Sequence, residues 1–167
     1  MNTEDALRFL ELHQPMPSDE KIDKELIEKY DDTRNYFLKN KDFRCVSLFL
    51  NSFGFINGLG VYQLVEDVII MYEEKDVVPL LVKSLNSDYY SVRYWSTQIA
   101  SNFSSKKLIE PLSMLLDENN YDIKFASLAA IERNDSLSKK TILKKYLLQE
   151  NDEELRGFAH NIISNIK

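Results

Sequence analysis

The sequence predicts an all-α fold, a short α-solenoid of stacked antiparallel helical hairpins, on three observations. Of its 167 residues 44% are hydrophobic, yet only four are Gly and four Pro, too few turn-formers for a sandwich or barrel. Three segments, residues 91–100, 122–131 and 154–163, align without gaps. Each of them follows a polar turn, and each turn follows an apolar run of helix-compatible residues. The length suits one domain, read as spanning 1–167, with divergent hairpins at 1–75 and regular repeats at 76–105, 106–136 and 137–167.

The elements follow in chain order. Residues 25–40 form the first helix of a divergent hairpin and 42–50 the second. Residues 55–60, Phe-Ile-Asn-Gly-Leu-Gly, carry two glycines that break the helix. The Val- and Ile-rich run at 61–72 is long for a strand and has Glu66 and Asp67 side by side, so it is read as a packed helix. The runs 77–85, 108–116 and 142–148 open the three regular hairpins, and their turns are 86–88, 117–120 and 150–152. In the second helices one column holds Val92, Ile123 and Leu155, the next holds Arg93, Lys124 and Arg156, and a third holds the small residues Ser96, Ser127 and Ala159. The offsets are 31 and 32 residues. Val92, Ile99 and Phe103 recur at helical spacing, an apolar stripe that a hairpin cannot bury alone, so the hairpins must stack.

These units resemble HEAT repeats, of the short type shared with phycobilin-lyase-like proteins: an apolar helix with Pro79 or Pro111 in its first turn, Asp or Asn in the turn, then Val-Arg or its equivalent opening the second helix. The N-terminal pattern, from Glu4-Asp-Ala-Leu-Arg-Phe-Leu through His13-Gln-Pro to the 60–67 segment, is similar to small bacterial HEAT-repeat proteins, some of which look like immunity proteins of polymorphic or contact-dependent toxins. The resemblance implies a non-catalytic protein-binding module, and within that class an immunity protein that neutralises a cognate toxin. The alternative is a scaffold or regulatory adaptor using the same surface. A remote third reading is an alkylpurine DNA glycosylase-like enzyme.

Charge bears on the choice. Residues 1–76 carry 16 Asp and Glu against 9 Lys and Arg, and residues 77–167 carry 11 against 12, within an overall charge of −6. A phosphate backbone calls for a clustered basic face, so no direct nucleic-acid ligand is expected, and Arg93, Tyr94 and Trp95 alone do not make a glycosylase groove beside an acidic half. A basic protein partner, such as a toxin domain that acts on RNA or DNA, would be steered to that half.

Nothing in the sequence assembles a catalytic or metal centre. His13 and His160 have no ligand at metal spacing, and the single cysteine, Cys45, makes neither a disulfide nor a CxxC site. The GxG at 58–60 does not follow a predicted strand and lacks a third glycine. Carboxylate pairs such as Asp31-Asp32, Glu66-Asp67 and Glu73-Glu74 point about 100° apart on a helix and read as solvated faces. No cofactor, metal or membrane contact is expected, the acidic N-terminal stretch is unlike a secretory signal, and a cytoplasmic protein, monomeric before it meets its partner, is the expectation. The basic column reads as a structural ladder tied to the nearby Asp88, Asp122 and Asp152 rather than as a binding stripe. Tyr89, Tyr90, Tyr94 and Trp95 crowd one turn and helix start, where not all can face inward. Together with Tyr62, Glu66, Asp67 and Gln98, expected on the same face of successive second helices, they form the candidate partner-binding surface.

Overall fold

The computed structural model describes residues 1–166, and among them every regular element is helical. The order is α1 (Thr3–Glu11), α2 (Lys24–Lys39), α3 (Arg44–Ser52), a 3-10 turn (Tyr62–Val65), α4 (Glu66–Ile69), α5 (Glu74–Leu85), α6 (Tyr90–Ala100), a second 3-10 turn (Lys106–Leu108), α7 (Ile109–Leu115), α8 (Tyr121–Arg133), α9 (Lys139–Leu147) and α10 (Glu153–Asn165). The chain divides into two compact units, Met1–Ser96 and Thr97–Lys167, the division falling within α6.

In the first unit α1 packs on α2 and α3, α2 on α4, and α3 on α5. Asn2 and Asp23 cap α1 and α2, their side-chain oxygens accepting the amides of Asp5 and Leu26. Ile27, Tyr30 and Phe37 on α2 and Val46, Phe49 and Leu50 on α3 are fully or nearly fully buried, at the spacing that places one stripe inward. The Tyr30 hydroxyl shares a 2.6 Å hydrogen bond with Ser52 Oγ, so the largest polar group of this core is satisfied.

The structure departs from expectation at 61–72 and at Pro79. The single helix expected over 61–72 is a 3-10 turn followed by the one-turn α4, although no strand forms there. Its β-branched residues are poor helix formers, and Tyr62, Val65, Val68 and Ile69 are drawn inward by the core rather than by one regular stripe. Pro79 lies in the interior of α5, which begins at Glu74, and not in the first turn. The hairpin expected at 25–40 and 42–50 corresponds to α2 and α3.

In the second unit α7 packs on α8, and α10 packs on α8 and α9. The short turns before α8 and α10 are capped by Asn120, which accepts the Ile123 amide, and by Asp152, which accepts those of Glu154 and Leu155. The columns read from the sequence hold. Val92, Ile123 and Leu155 are buried, and Ser96, Ser127 and Ala159 have no accessible surface, which is what close helix approach demands.

The basic column is structural, with partners other than those expected. Arg93 donates to the backbone carbonyls of Ser87 and Asp88, and Arg156 to those of Leu147 and Glu150, so each guanidinium satisfies carbonyls in or beside the turn that joins the two helices of its hairpin. Lys124 reaches instead into the next turn, 2.7 Å from Glu150 Oε2. Glu150 also accepts from the Tyr146 hydroxyl (2.8 Å) and from the amides of Asn151 (2.8 Å) and Asp152 (2.9 Å). Burial alone would raise its carboxyl, but the Lys124 ammonium and those three donors outweigh it and hold the group down to about 2.

Candidate functional site

The segment between α3 and the first 3-10 turn is a loop that the rest of the first unit holds in a strained conformation. Gly54 has to be glycine, because a Cβ there would fall on the carbonyl oxygens of Met16 and Pro17. Beyond it, Ile56 has φ 77° and Leu59 φ 50°, the left-handed region that costs an L-residue about 1–2 kcal/mol and a β-branched one most. Asp19 holds this shape. Its Oδ1 accepts the Gly58 amide at 2.9 Å, and its Oδ2 accepts those of Asn57 and Leu59 at 3.3 Å each. On the other side, Trp95 Nε1 donates to the Ile56 carbonyl at 3.0 Å, and Ser91 Oγ donates to that of Phe53 at 2.7 Å. The GxG at 58–60 thus follows a helix, and the converging amides beside it are already filled by an internal carboxylate.

The result is that large apolar side chains face solvent from an ordered backbone. Phe55 is 57% exposed, Ile56 49% and Leu59 59%. Tyr90 packs against Phe55 (ring centroids 6.2 Å) and stacks on Tyr94 (6.1 Å, 14° between planes), while Tyr89 beside them is 56% exposed. Trp95 is half-buried, stacked on Phe53 and edge-on to Tyr94 and Tyr62.

Of the residues expected to form a binding surface, the structure therefore brings Tyr89, Tyr90, Tyr94 and Trp95 together. Tyr62 is a correction. It is only 1% exposed, its ring lies among Tyr30, Phe53 and Trp95 and against Gly58, and burial pushes its phenol up to about 12. Its hydroxyl faces the Gly54 backbone without good hydrogen-bond geometry. Glu66 is half-buried and Asp67 exposed on α4, and neither joins an ion pair among the described residues. Gln98 is half-buried and belongs to the second unit. Sequence reasoning missed Phe55, Ile56, Leu59 and Asp19. The available signal was three glycines in seven residues, 54, 58 and 60, with large apolar residues between them.

His13 bonds the Phe9 carbonyl through Nδ1 at 2.6 Å, and His160 is exposed on α10. Among the described residues no group of three His, Cys, Asp or Glu side chains is arranged to hold a metal ion, and no helix is long and apolar enough to cross a membrane. The structure defines an all-α protein of paired helices with an exposed aromatic and aliphatic loop site. No protein-family model matches the chain, and no curated protein matches it.

Proposed function

We propose that this chain is a non-catalytic, HEAT-like protein-binding module whose contact surface is the loop 55–59 with Tyr89, Tyr90 and Tyr94, and that it acts in the bacterial cytoplasm as an immunity protein that captures a basic toxin domain. The observation that carries the reading is the loop itself. Backbone strain, three amide bonds to one carboxylate and an indole bond are spent on holding Phe55, Ile56 and Leu59 in water, where they contribute nothing to the core. A preorganised apolar surface of this kind loses little entropy on docking a partner. Residues 1–96 carry 17 Asp and Glu against 11 Lys and Arg, which supports a basic partner and fast, salt-sensitive capture.

The test is paired. Wild type and the variant Phe55→Ser/Leu59→Ser are used as baits in the native host, and any protein held by the wild type alone is expressed with and without this chain. The expected result is a basic protein whose expression stops growth and whose toxicity the wild type relieves, with relief lost in the variant. A partner retained equally by the variant, or one that is harmless when expressed alone, overturns the reading.

A further inference from the structure

The second unit carries an aromatic face that the loop site does not use. On α8, Tyr121 and Phe125 sit four residues apart with their rings stacked, 6.0 Å between centroids and 21° between planes, and Phe158 of α10 lies 5.1 Å from Phe125. Tyr121 and Phe125 are each 40% exposed. The pair occupies the repeat positions of Tyr90 and Tyr94, 31 residues earlier, which are also stacked. The core side of α8 belongs to Ile123, Ala126, Ser127, Ala130 and Ile131, so the stacked pair is not needed to seal it.

Carboxylates are close to these rings in the chain: Asp122 follows Tyr121, and Asp152, Glu153 and Glu154 open α10 one turn before Phe158. Glu154 stands one turn before Phe158 on α10, as Tyr121 stands one turn before Phe125 on α8, and its carboxylate is the first cause raising the Tyr121 phenol above the ordinary value; burial adds to it, followed by the charges of Glu154 itself, Asp152 and Asp122. The cations nearby in sequence are committed elsewhere, Lys124 to Glu150 and Arg156 to two carbonyls, and among the described residues no cation pairs with Asp122, Glu153 or Glu154.

We propose that this face receives an arginine side chain from an extended basic segment of a protein partner, the guanidinium lying over the Tyr121 and Phe125 rings and pairing with Glu154. The chemistry selects that occupant over an apolar one. A hydrophobic helix laid here would strip water from Glu154 and Asp122 and return no charge. A planar guanidinium stacks on an aromatic face and at the same time donates two parallel hydrogen bonds to a carboxylate, which a lysine does less well. The inference extends the partner-binding reading to a second face, and it stands or falls on a probe that does not involve the loop or a toxin.

The probe is the capped peptide acetyl-Gly-Arg-Gly-Arg-Gly-amide, titrated into the isotope-labelled full chain at low salt and followed by amide and aromatic chemical shifts. Its counterpart with citrulline for arginine has the same shape and no charge. Saturable shifts at Tyr121, Phe125, Glu154 and Phe158 are expected, with citrulline binding at least about fivefold more weakly, the loss of one exposed cation–aromatic contact. Glu154→Gln should weaken the arginine peptide by about fivefold as well, since it removes the paired charge and keeps the shape. Phe125→Leu should act in the same direction, and Glu154→Gln serves alone if that variant is misfolded. Equal binding of the two peptides, shifts confined to other residues, or no saturable shift below about 20 mM, the range of a single weak contact, each overturns the proposal.

Discussion

Replacing Glu150 by glutamine should remove the largest electrostatic contribution to the second unit, and the size of the loss follows from its surroundings. The side chain is 6% exposed and meets four donors, so screening by water is slight. Its carboxyl is held down to about 2, against an ordinary value of 4.5 in the unfolded chain. A folded pKa below the unfolded one means that the unfolded state binds the extra proton, so the contribution is complete above the unfolded value and disappears as pH falls through the folded one. At about 1.4 kcal/mol per unit the difference amounts to roughly 3 kcal/mol at neutral pH, and about half of it is gone by a pH near 3. Glu150→Gln keeps the volume and one acceptor for the Asn151 and Asp152 amides, but turns an NH2 group toward the Lys124 ammonium and the Tyr146 hydroxyl. Burial and the Glu150 carboxylate together push that phenol up, so it stays a donor throughout. Hydrogen exchange of the α8 and α10 amides reads the stability of this unit directly. The expected result is a wild-type advantage of roughly 3 kcal/mol at neutral pH that narrows to about 1.5–2 near pH 3. An advantage below about 1 kcal/mol at neutral pH, or one that stays constant down to pH 3, refutes the reasoning.

Other expected outcomes concern the loop and the repeat. Gly54→Ala should cost about 2 kcal/mol or more in urea unfolding, because the new methyl meets two backbone carbonyls that have nowhere to go. Ile56→Gly should leave stability unchanged or raise it by up to about 1 kcal/mol, since relief of the left-handed strain offsets the entropy of glycine; a loss of more than about 1 kcal/mol would show that the conformation is not strained. Ile99→Asp places a carboxylate at a site 2% exposed and should cost about 4 kcal/mol; melting like wild type would put Ile99 outside the core.

The regular hairpins were legible because each column of the pattern has one physical task. Val92, Ile123 and Leu155 fill the core, Ser96, Ser127 and Ala159 keep contacts tight, and a polar cap residue precedes each of α8 and α10. The partners of the basic column were not legible, since a turn carbonyl is not written in residue identity, whereas Asp88 and Asp152 are. α1 has no counterpart in the repeat, so periodicity did not reveal it. At 61–72 hydrophobicity marked burial and missed the change of pitch. At 55–59 the residues announce only a helix break, because nothing local says that Asp19, some 38 residues away, completes the loop. Tyr62 turns to the side opposite the one its spacing suggests. Its helix has the wrong pitch for the expected face, and its ring went into the core beside the residues it was expected to join on the surface.

The arginines of the basic column also act as gauges of chain length. Arg93 reaches back six residues to the Ser87 carbonyl, and Arg156 reaches back six to that of Glu150. A side chain of fixed reach that must meet a carbonyl a set number of residues upstream tolerates no insertion between the two. Growth or shortening of this chain over evolutionary time is therefore channelled away from the turns inside these two hairpins and toward the connections that lead from one hairpin to the next.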